Sequence, residues 1–233
     1  MSRLLVWIVP FVAIAGCSGA GSGLRLEFKP PKGEKRTYHT DMELRLDLAS
    51  GGRQTIRVGF DSEDEVIEAG RDSITIRTTF QKVTVKAAGL TEMLAPQFKA
   101  IEGTSVTQVF DRMGRLIRTE GDSQGPTQSL QGALTPEFGD VPLHKGAKWT
   151  AKIDAGGQQA FVTYQVEGYE KVNGKEAVVL TMEVSGDSSL KAVSPPQIWV
   201  EVATGRMVRS IGTLSIQVHG ASAEAAFKVE QVR

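Results

Sequence analysis

The stretches RQTIRVGF (residues 53–60) and SITIRTTF (73–80) are answered further along the chain by QQAFVTYQV (158–166) and AVVLTMEV (177–184). In each stretch apolar residues return at every second position, the period of a half-buried strand. A shift of 104 residues, which lays Gly70 on Gly174, also lays Val58 on Val162, Phe60 on Tyr164, Ile74 on Val178, Ile76 on Leu180 and Phe80 on Val184. The joints agree as well. Asn173-Gly174 is a two-residue hairpin signal, and Ala69-Gly70 takes the equivalent place. Two antiparallel hairpins follow from this pattern.

The correspondence continues outside the hairpins in a changed register. Lys32-Gly33-Glu34-Lys35 returns as Lys145-Gly146-Ala147-Lys148, and Gly114-Arg115-Leu116-Ile117-Arg118 returns as Gly205-Arg206-Met207-Val208-Arg209. The repeat therefore spans about 32–120 and about 145–233 of one duplicated β-domain running from residue 24 to residue 233. The first copy carries extra residues at 90–103, LTEMLAPQFKAIEG, where Leu90, Met93, Leu94, Phe98 and Ile101 follow helical spacing. Thr91 is a candidate start, Gly103 a candidate stop, and Pro96 a kink. A second connector, residues 127–141, has Leu130, Leu134 and Phe138 in a similar rhythm and reads as a helical turn or a loop.

The fold class expected is mainly β: an internally duplicated antiparallel β-meander with one or two short helices. Either the copies join edge to edge in one curved sheet or half-barrel, or each closes into its own sandwich. The single sheet is favoured, because five or six strands per copy leave an apolar face that needs a covering layer.

The chain opens with Met1-Ser2-Arg3, then runs uncharged from Leu4 to Ala15. A basic start, an apolar run and small residues form an export signal. The run is shorter than the ~20 residues a permanent spanning helix requires, and Pro10 would disrupt such a helix. The only cysteine follows directly. Ile14-Ala15-Gly16-Cys17 resembles the lipobox of bacterial lipoproteins. That resemblance implies cleavage between Gly16 and Cys17 and a diacylglycerol thioether on the Cys17 sulfur, with a further acyl chain such as palmitate on the new amino terminus. It also implies a membrane location, which is the outer membrane in a Gram-negative host, since Ser18 rather than aspartate follows the cysteine. Each buried methylene contributes roughly 0.8 kcal/mol, so two or three chains anchor stably. Residues 17–23 would then be the lipidated cysteine and a flexible Gly/Ser tether.

Composition excludes several function classes. Twenty-seven basic and 27 acidic residues cancel, with no long block of either sign to steer nucleic acid. One cysteine permits no internal disulfide or multi-thiolate metal site. His39, His144 and His219 show no metal-ligand spacing. The acidic run Asp61, Glu63, Asp64, Glu65 lacks the glycine and terminal glutamate of a calcium loop and reads as a solvated strand end. There is no nucleophile-elbow motif and no glycine-rich phosphate loop. No catalytic residue, metal or cofactor is expected.

What remains is apolar surface. Met93, Leu94 and Phe98, with Leu130, Leu134 and Phe138, are candidates to line a greasy cavity beneath a helical lid, or else to plug the sheet as core. The phrase LTPEFGDVPLHKGAKW (134–149) resembles the middle of uncharacterised bacterial lipoproteins related to lipoprotein-carrier-like half-barrels. This resemblance implies a non-enzymatic, lipid-anchored envelope protein binding a lipid or other apolar ligand. The alternative is a structural or assembly lipoprotein that acts through a protein partner in the envelope.

Overall fold

The computed structural model describes residues 23–47, 52–120, 136–155, 158–185, 190–218 and 221–232. The strands are β1 (Lys35–Asp47), β2 (Arg53–Ala69), β3 (Ser73–Ala87), β4 (Ser105–Asp111), β5 (Leu116–Glu120), β6 (Lys148–Ala155), β7 (Gln158–Val172), β8 (Lys175–Ser185), β9 (Leu190–Glu201), β10 (Met207–Val218) and β11 (Ala221–Gln231). Among the described residues there is one helix, α1 (Thr91–Lys99), between β3 and β4. All eleven strands form a single antiparallel sheet in the order β5-β4-β3-β2-β1-β11-β10-β9-β8-β7-β6. It is curved and does not close, so the single half-barrel is the architecture adopted.

The order shows how the copies join. The first copy runs outward from β1 to β5. The chain then crosses to the opposite edge and returns inward from β6 to β11. The second copy has one strand more, and that strand, β11, pairs with β10 on one side and with β1 on the other over Tyr38–Asp47 and Ser222–Gln231.

The duplication extends to individual hydrogen bonds. The Gly33 N–H donates to the Val66 carbonyl at 2.8 Å, and the Gly146 N–H donates to the Val166 carbonyl at 2.8 Å. The return bonds, Val66 N–H to Glu34 and Val166 N–H to Ala147, are both 2.9 Å. Both glycines have positive φ, 81° and 84°, where a side chain would be strained. Gly114 and Gly205 occupy matching turns with φ of 76° and 69°.

These bonds correct the hairpin alignment. They make Val66 equivalent to Val166, an offset of 100 between β2 and β7, while the pairing of Val66 with Ile76 and of Val166 with Leu180 keeps the expected 104 between β3 and β8; beyond the shared bulge the β7–β8 hairpin runs four residues further before it closes. Four residues is an even slip, so each side chain stays on its expected face. Both hairpins also carry a bulge in the same place, between Val66 and Glu68 and between Val166 and Gly168. The turns differ. Asn173 and Gly174 have φ of 50° and 79°, as a type I′ turn requires, whereas Gly70 has no positive φ and closes a wider loop through its N–H to the Ser73 carbonyl at 2.9 Å.

At one end the concave face is filled. The segment of residues 24–31 lies across it, with Phe28 N–H bonded to the Arg112 carbonyl at 2.8 Å and Lys29 N–H to the Thr204 carbonyl at 2.9 Å. Those carbonyls belong to the β4–β5 and β9–β10 turns, one from each copy. Leu26 and Phe28 are buried with Val66, Ile74, Ile76 and Phe110 of the first copy and Trp149, Tyr164, Val166, Val178, Leu180 and Ile198 of the second. Phe138, 3% exposed, completes this core. A Cβ on Gly205 would meet its ring at 2.9 Å, and one on Gly114 would come within 2.7 Å of the Pro136 carbonyl oxygen, so both turns need glycine for close approach as well as for φ.

Candidate functional site

At the other end the concave face is a trough. Its rows run across the strands: Val85–Val58–Met42–Phe227–Gly212, then Ala87–Ile56–Leu44–Ala225–Leu214, with Leu46 beyond. These rows stay in phase across β3 because an extra residue near Lys82, at φ 52°, shifts the inward set from Phe80 to Val83, Val85 and Ala87.

Helix α1 covers the β1–β3 part of the trough. Thr91 is its first residue rather than its cap, and the Thr91 hydroxyl bonds back to both the Ala87 carbonyl (2.7 Å) and the Ala87 N–H (2.8 Å). At the far end the Gly103 N–H donates to the Phe80 carbonyl at 2.8 Å and the Phe80 N–H to the Thr104 carbonyl at 3.1 Å. The helix is thus tied to β3 at both ends, while Pro96 within it forfeits one N–H. No residue of α1 is fully buried. Leu94 and Phe98, with Leu90 just before the helix, pack against Met42, Ile56, Val58 and Ala87 but keep part of their surface exposed. The partly buried Leu44, Leu46, Phe60 and Val85 complete the lining.

The six side chains named from sequence do not form one cavity. Leu94 and Phe98 lie over the trough, Met93 points outward with 59% of its surface exposed, and Phe138 sits in the filled core at the opposite end. Leu130 and Leu134 lie outside the described residues, as do Gly16, Cys17, Ser18 and His219. The described part of the second connector contains no helix. Phe138 is placed by a segment without regular secondary structure, its N–H on the Met113 carbonyl at 2.7 Å, and not by helical spacing. The carrier-like phrase contributes Phe138, Ala147 and Trp149 to the core, while Asp140, Pro142, His144, Lys145 and Lys148 are exposed; the Trp149 indole donates to the Glu137 carbonyl at 2.7 Å and stacks on Tyr164 with centroids 5.5 Å apart. Burial pushes the Tyr164 phenol up to about 12.

Between plug and trough lies a belt of buried polar side chains that the sequence reading missed. In successive rows it comprises Arg36, Asp64 and Thr78, then Tyr38 and Ser62, then Thr40 and Ser210. Arg36 binds Glu34 at 2.7 Å and Thr204 at 3.2 Å, and also pairs with Glu201. Arg206 reaches from the β9–β10 turn to Asp64 at 2.8 Å and to the Tyr38 hydroxyl at 3.3 Å. The Thr78 hydroxyl donates to Asp64 at 2.7 Å, and Tyr38 donates to the Met207 carbonyl at 2.9 Å. First-copy residues are thereby tied to the second copy through charge-assisted bonds.

The environment of these carboxyls differs. Burial pushes the Asp64 carboxyl above its ordinary range against the pull of Arg206, while for Glu201 burial is outweighed by the Thr204 hydroxyl and the Arg36 guanidinium, which hold it below. The acidic run around Asp64 is split by strand alternation. Asp61 and Glu63 pair on the outer face with Lys82 at 2.8 Å and Lys35 at 3.4 Å, and only Asp64 turns inward. A sequence signal existed, since Asp64 is in phase with Val58, Phe60 and Val66.

His39, on the outer face, bonds Asp61 at 2.7 Å, and His144 bonds the Lys145 carbonyl at 3.1 Å. Among the described residues no group of three potential ligands could hold a metal, and no helix is long and apolar enough to cross a membrane.

No family model and no curated protein sequence matches the chain. Solved structures do. A lipovitellin structure concerned with lipid–protein interactions aligns over 87% of this chain at 13% identity with a TM-score of 0.53, and the chain spans 25% of that lipovitellin's length. A LolA superfamily protein from Nitrosomonas europaea aligns over 87% of this chain and 88% of its own at 9% identity, with a TM-score of 0.21. A beta-barrel-like protein from Brucella abortus aligns over 84% of this chain and 98% of its own at 12% identity, with a TM-score of 0.25. At these identities the likeness is one of fold: the half-barrel is similar to part of lipovitellin.

Proposed function

We propose that this protein is a non-enzymatic, lipid-anchored envelope protein that holds a lipid or other apolar ligand in the trough between α1 and the concave face. The observation that carries the reading is the contrast within one sheet. The end around Phe138 is filled by the chain's own side chains, whereas the trough keeps Leu44, Leu46, Phe60, Leu94 and Phe98 only half covered by a helix with no buried residue. Half-covered apolar side chains under a helix with no buried residue can exchange solvent contact for contact with an apolar ligand. The fold shared with part of lipovitellin supports the apolar-ligand component. The lipobox residues 14–17 support the anchor, and Ser18 in place of an aspartate supports the outer membrane as its destination if the host is Gram-negative.

Native mass spectrometry of the gently purified protein tests the ligand. Reproducible adducts of lipid mass are expected, and their consistent absence, together with failure to take up added lipid, would overturn it. Cys17→Ala tests the anchor: lipid modification and processing should both be lost. An intact mass showing residues 1–16 retained, or Cys17 unmodified, in the unaltered protein would refute the anchoring.

A second reading rests on the sheet margin. On β5, paired with β4 at one edge, Ile117 is 54% exposed and Leu116 also lies at the surface. An assembly lipoprotein would offer such an edge to a protein partner. Crosslinking in membranes should then give one dominant partner, abolished by Ile117→Lys.

A further inference from the structure

The inner end of the trough carries hydroxyls among its apolar side chains. Thr40 and Ser210 flank Val229 in the row directly inward of Met42, Phe227 and Gly212, and Ser62 lies one row further in. All three are buried, and Ser210, 0% exposed, has a hydroxyl with no hydrogen-bond partner among the described residues. A buried hydroxyl left without a partner costs stability, so its retention at the foot of an apolar trough calls for a ligand atom to meet it.

The charge of that partner follows from the belt behind it. Arg36, Arg206 and Lys175 are matched by Glu34, Asp64 and Glu201, three cations against three carboxylates, in ion pairs of up to 3.7 Å. This set has no surplus positive charge to compensate a buried carboxylate or phosphate, whose desolvation would go unrepaid. From Thr40 to Leu46 the floor spans six residue steps, about 20 Å at a strand's rise per residue, the scale of a fatty-acyl chain.

Resting on the apolar-ligand reading above, we propose that the trough binds an amphiphile whose acyl chain lies under α1 and whose uncharged hydrogen-bonding group, a hydroxyl or ester as in a monoacylglycerol or fatty alcohol, meets Ser210 and Thr40. The ligand enters polar group first and leaves its chain end toward Leu46.

The test is displacement of a fluorescent apolar dye, N-phenyl-1-naphthylamine, from the whole purified protein by three probes of equal chain length: hexadecanol, ionised palmitate and hexadecane. Hexadecanol should displace the dye at a concentration at least 10-fold below either of the others. Ser210→Ala and Thr40→Val should each narrow that preference to 3-fold or less while the dye itself binds as before. Should one variant fail to fold, the other carries the comparison. Displacement by all three probes alike, unaltered in both variants, would overturn the headgroup assignment and leave the apolar trough standing. Failure of every probe to displace the dye, or of the dye to bind, would instead overturn the trough as a ligand site.

Discussion

The two ends of the concave face are made from the same strands and the same alternation, yet one is finished and the other is not. At the closed end two equivalent glycine turns, Gly114 and Gly205, approach from opposite copies and Phe138 fills the space between them. At the open end the same sheet is covered on one side by a nine-residue helix whose apolar residues remain partly exposed. The difference teaches that duplication supplies the closure. Where both copies contribute a turn, the two turns meet over Leu26, Phe28 and Phe138 and that end is filled; where only the first copy has an insertion, the covering layer among the described residues comes from one side and leaves a trough.

The strongest way to break this comparison is to make a hole at each end. Phe138→Ala removes a ring packed on all sides and should cost about 3–5 kcal/mol, in the range of large-to-small core substitutions. Leu94→Ala at the trough should cost only about 1 kcal/mol, since its side chain is already part exposed. Urea unfolding of both variants measures the gap. Equal costs would mean that the two ends are packed alike.

A slightly smaller effect separates buried from exposed charge. Arg36→Met leaves Glu34 and Glu201 with only their longer pairs to Arg206 and Lys175 and should destabilise by roughly 3 kcal/mol, as breaking a buried pair does. Arg45→Met, on the outer face against Glu43 and Glu224, should change stability by less than about 1 kcal/mol. If the two substitutions cost the same, the belt is not what ties the copies together.

The smallest expected effect is in pH dependence. Glu201 is held below its unfolded value, so its contribution is complete above about pH 4.3 and fades as pH falls through its lower folded value. Asp64 is raised by burial, so the folded state takes up its proton first and acidification through that range returns stability. Between pH 6 and pH 3 Glu201→Gln should therefore lose less stability than the unaltered protein, and Asp64→Asn should lose more. Parallel pH profiles for all three proteins would contradict the assigned directions.

Most of the fold was legible because strand period, the Asn173-Gly174 turn and the repeated Lys-Gly-x-Lys starts are local signals that the tertiary structure had no reason to override. The four-residue displacement between β2 and β7 arises because a strand pattern reports which face a side chain takes, not how far the hairpin extends. In AVVLTMEV, residues 177–180 are all buried, so the unbroken apolar run there marked a strand covered on both faces.

The site was less legible. Leu94 and Phe98 were found through helical spacing, but the same rhythm grouped Phe138 with them although its segment has no regular secondary structure. Arg36 and Asp64 escape notice because charged residues in strands ordinarily face water, and Arg206 because it lies in the β9–β10 turn, where no strand period applies. Only their phase, Arg36 with Tyr38 and Met42, Asp64 with Val58 and Val66, marked them as inward.

The central claim is that ligand occupies the trough and leaves the closed end untouched. Amide hydrogen exchange of the whole protein, with and without hexadecanol, tests it most directly. The account predicts new protection in α1 (residues 91–99) and along β1 at residues 42–46, with the segments at 24–31 and 136–149 exchanging as before. Protection confined to 24–31 and 136–149, or no change at α1 on saturation with lipid, would contradict it.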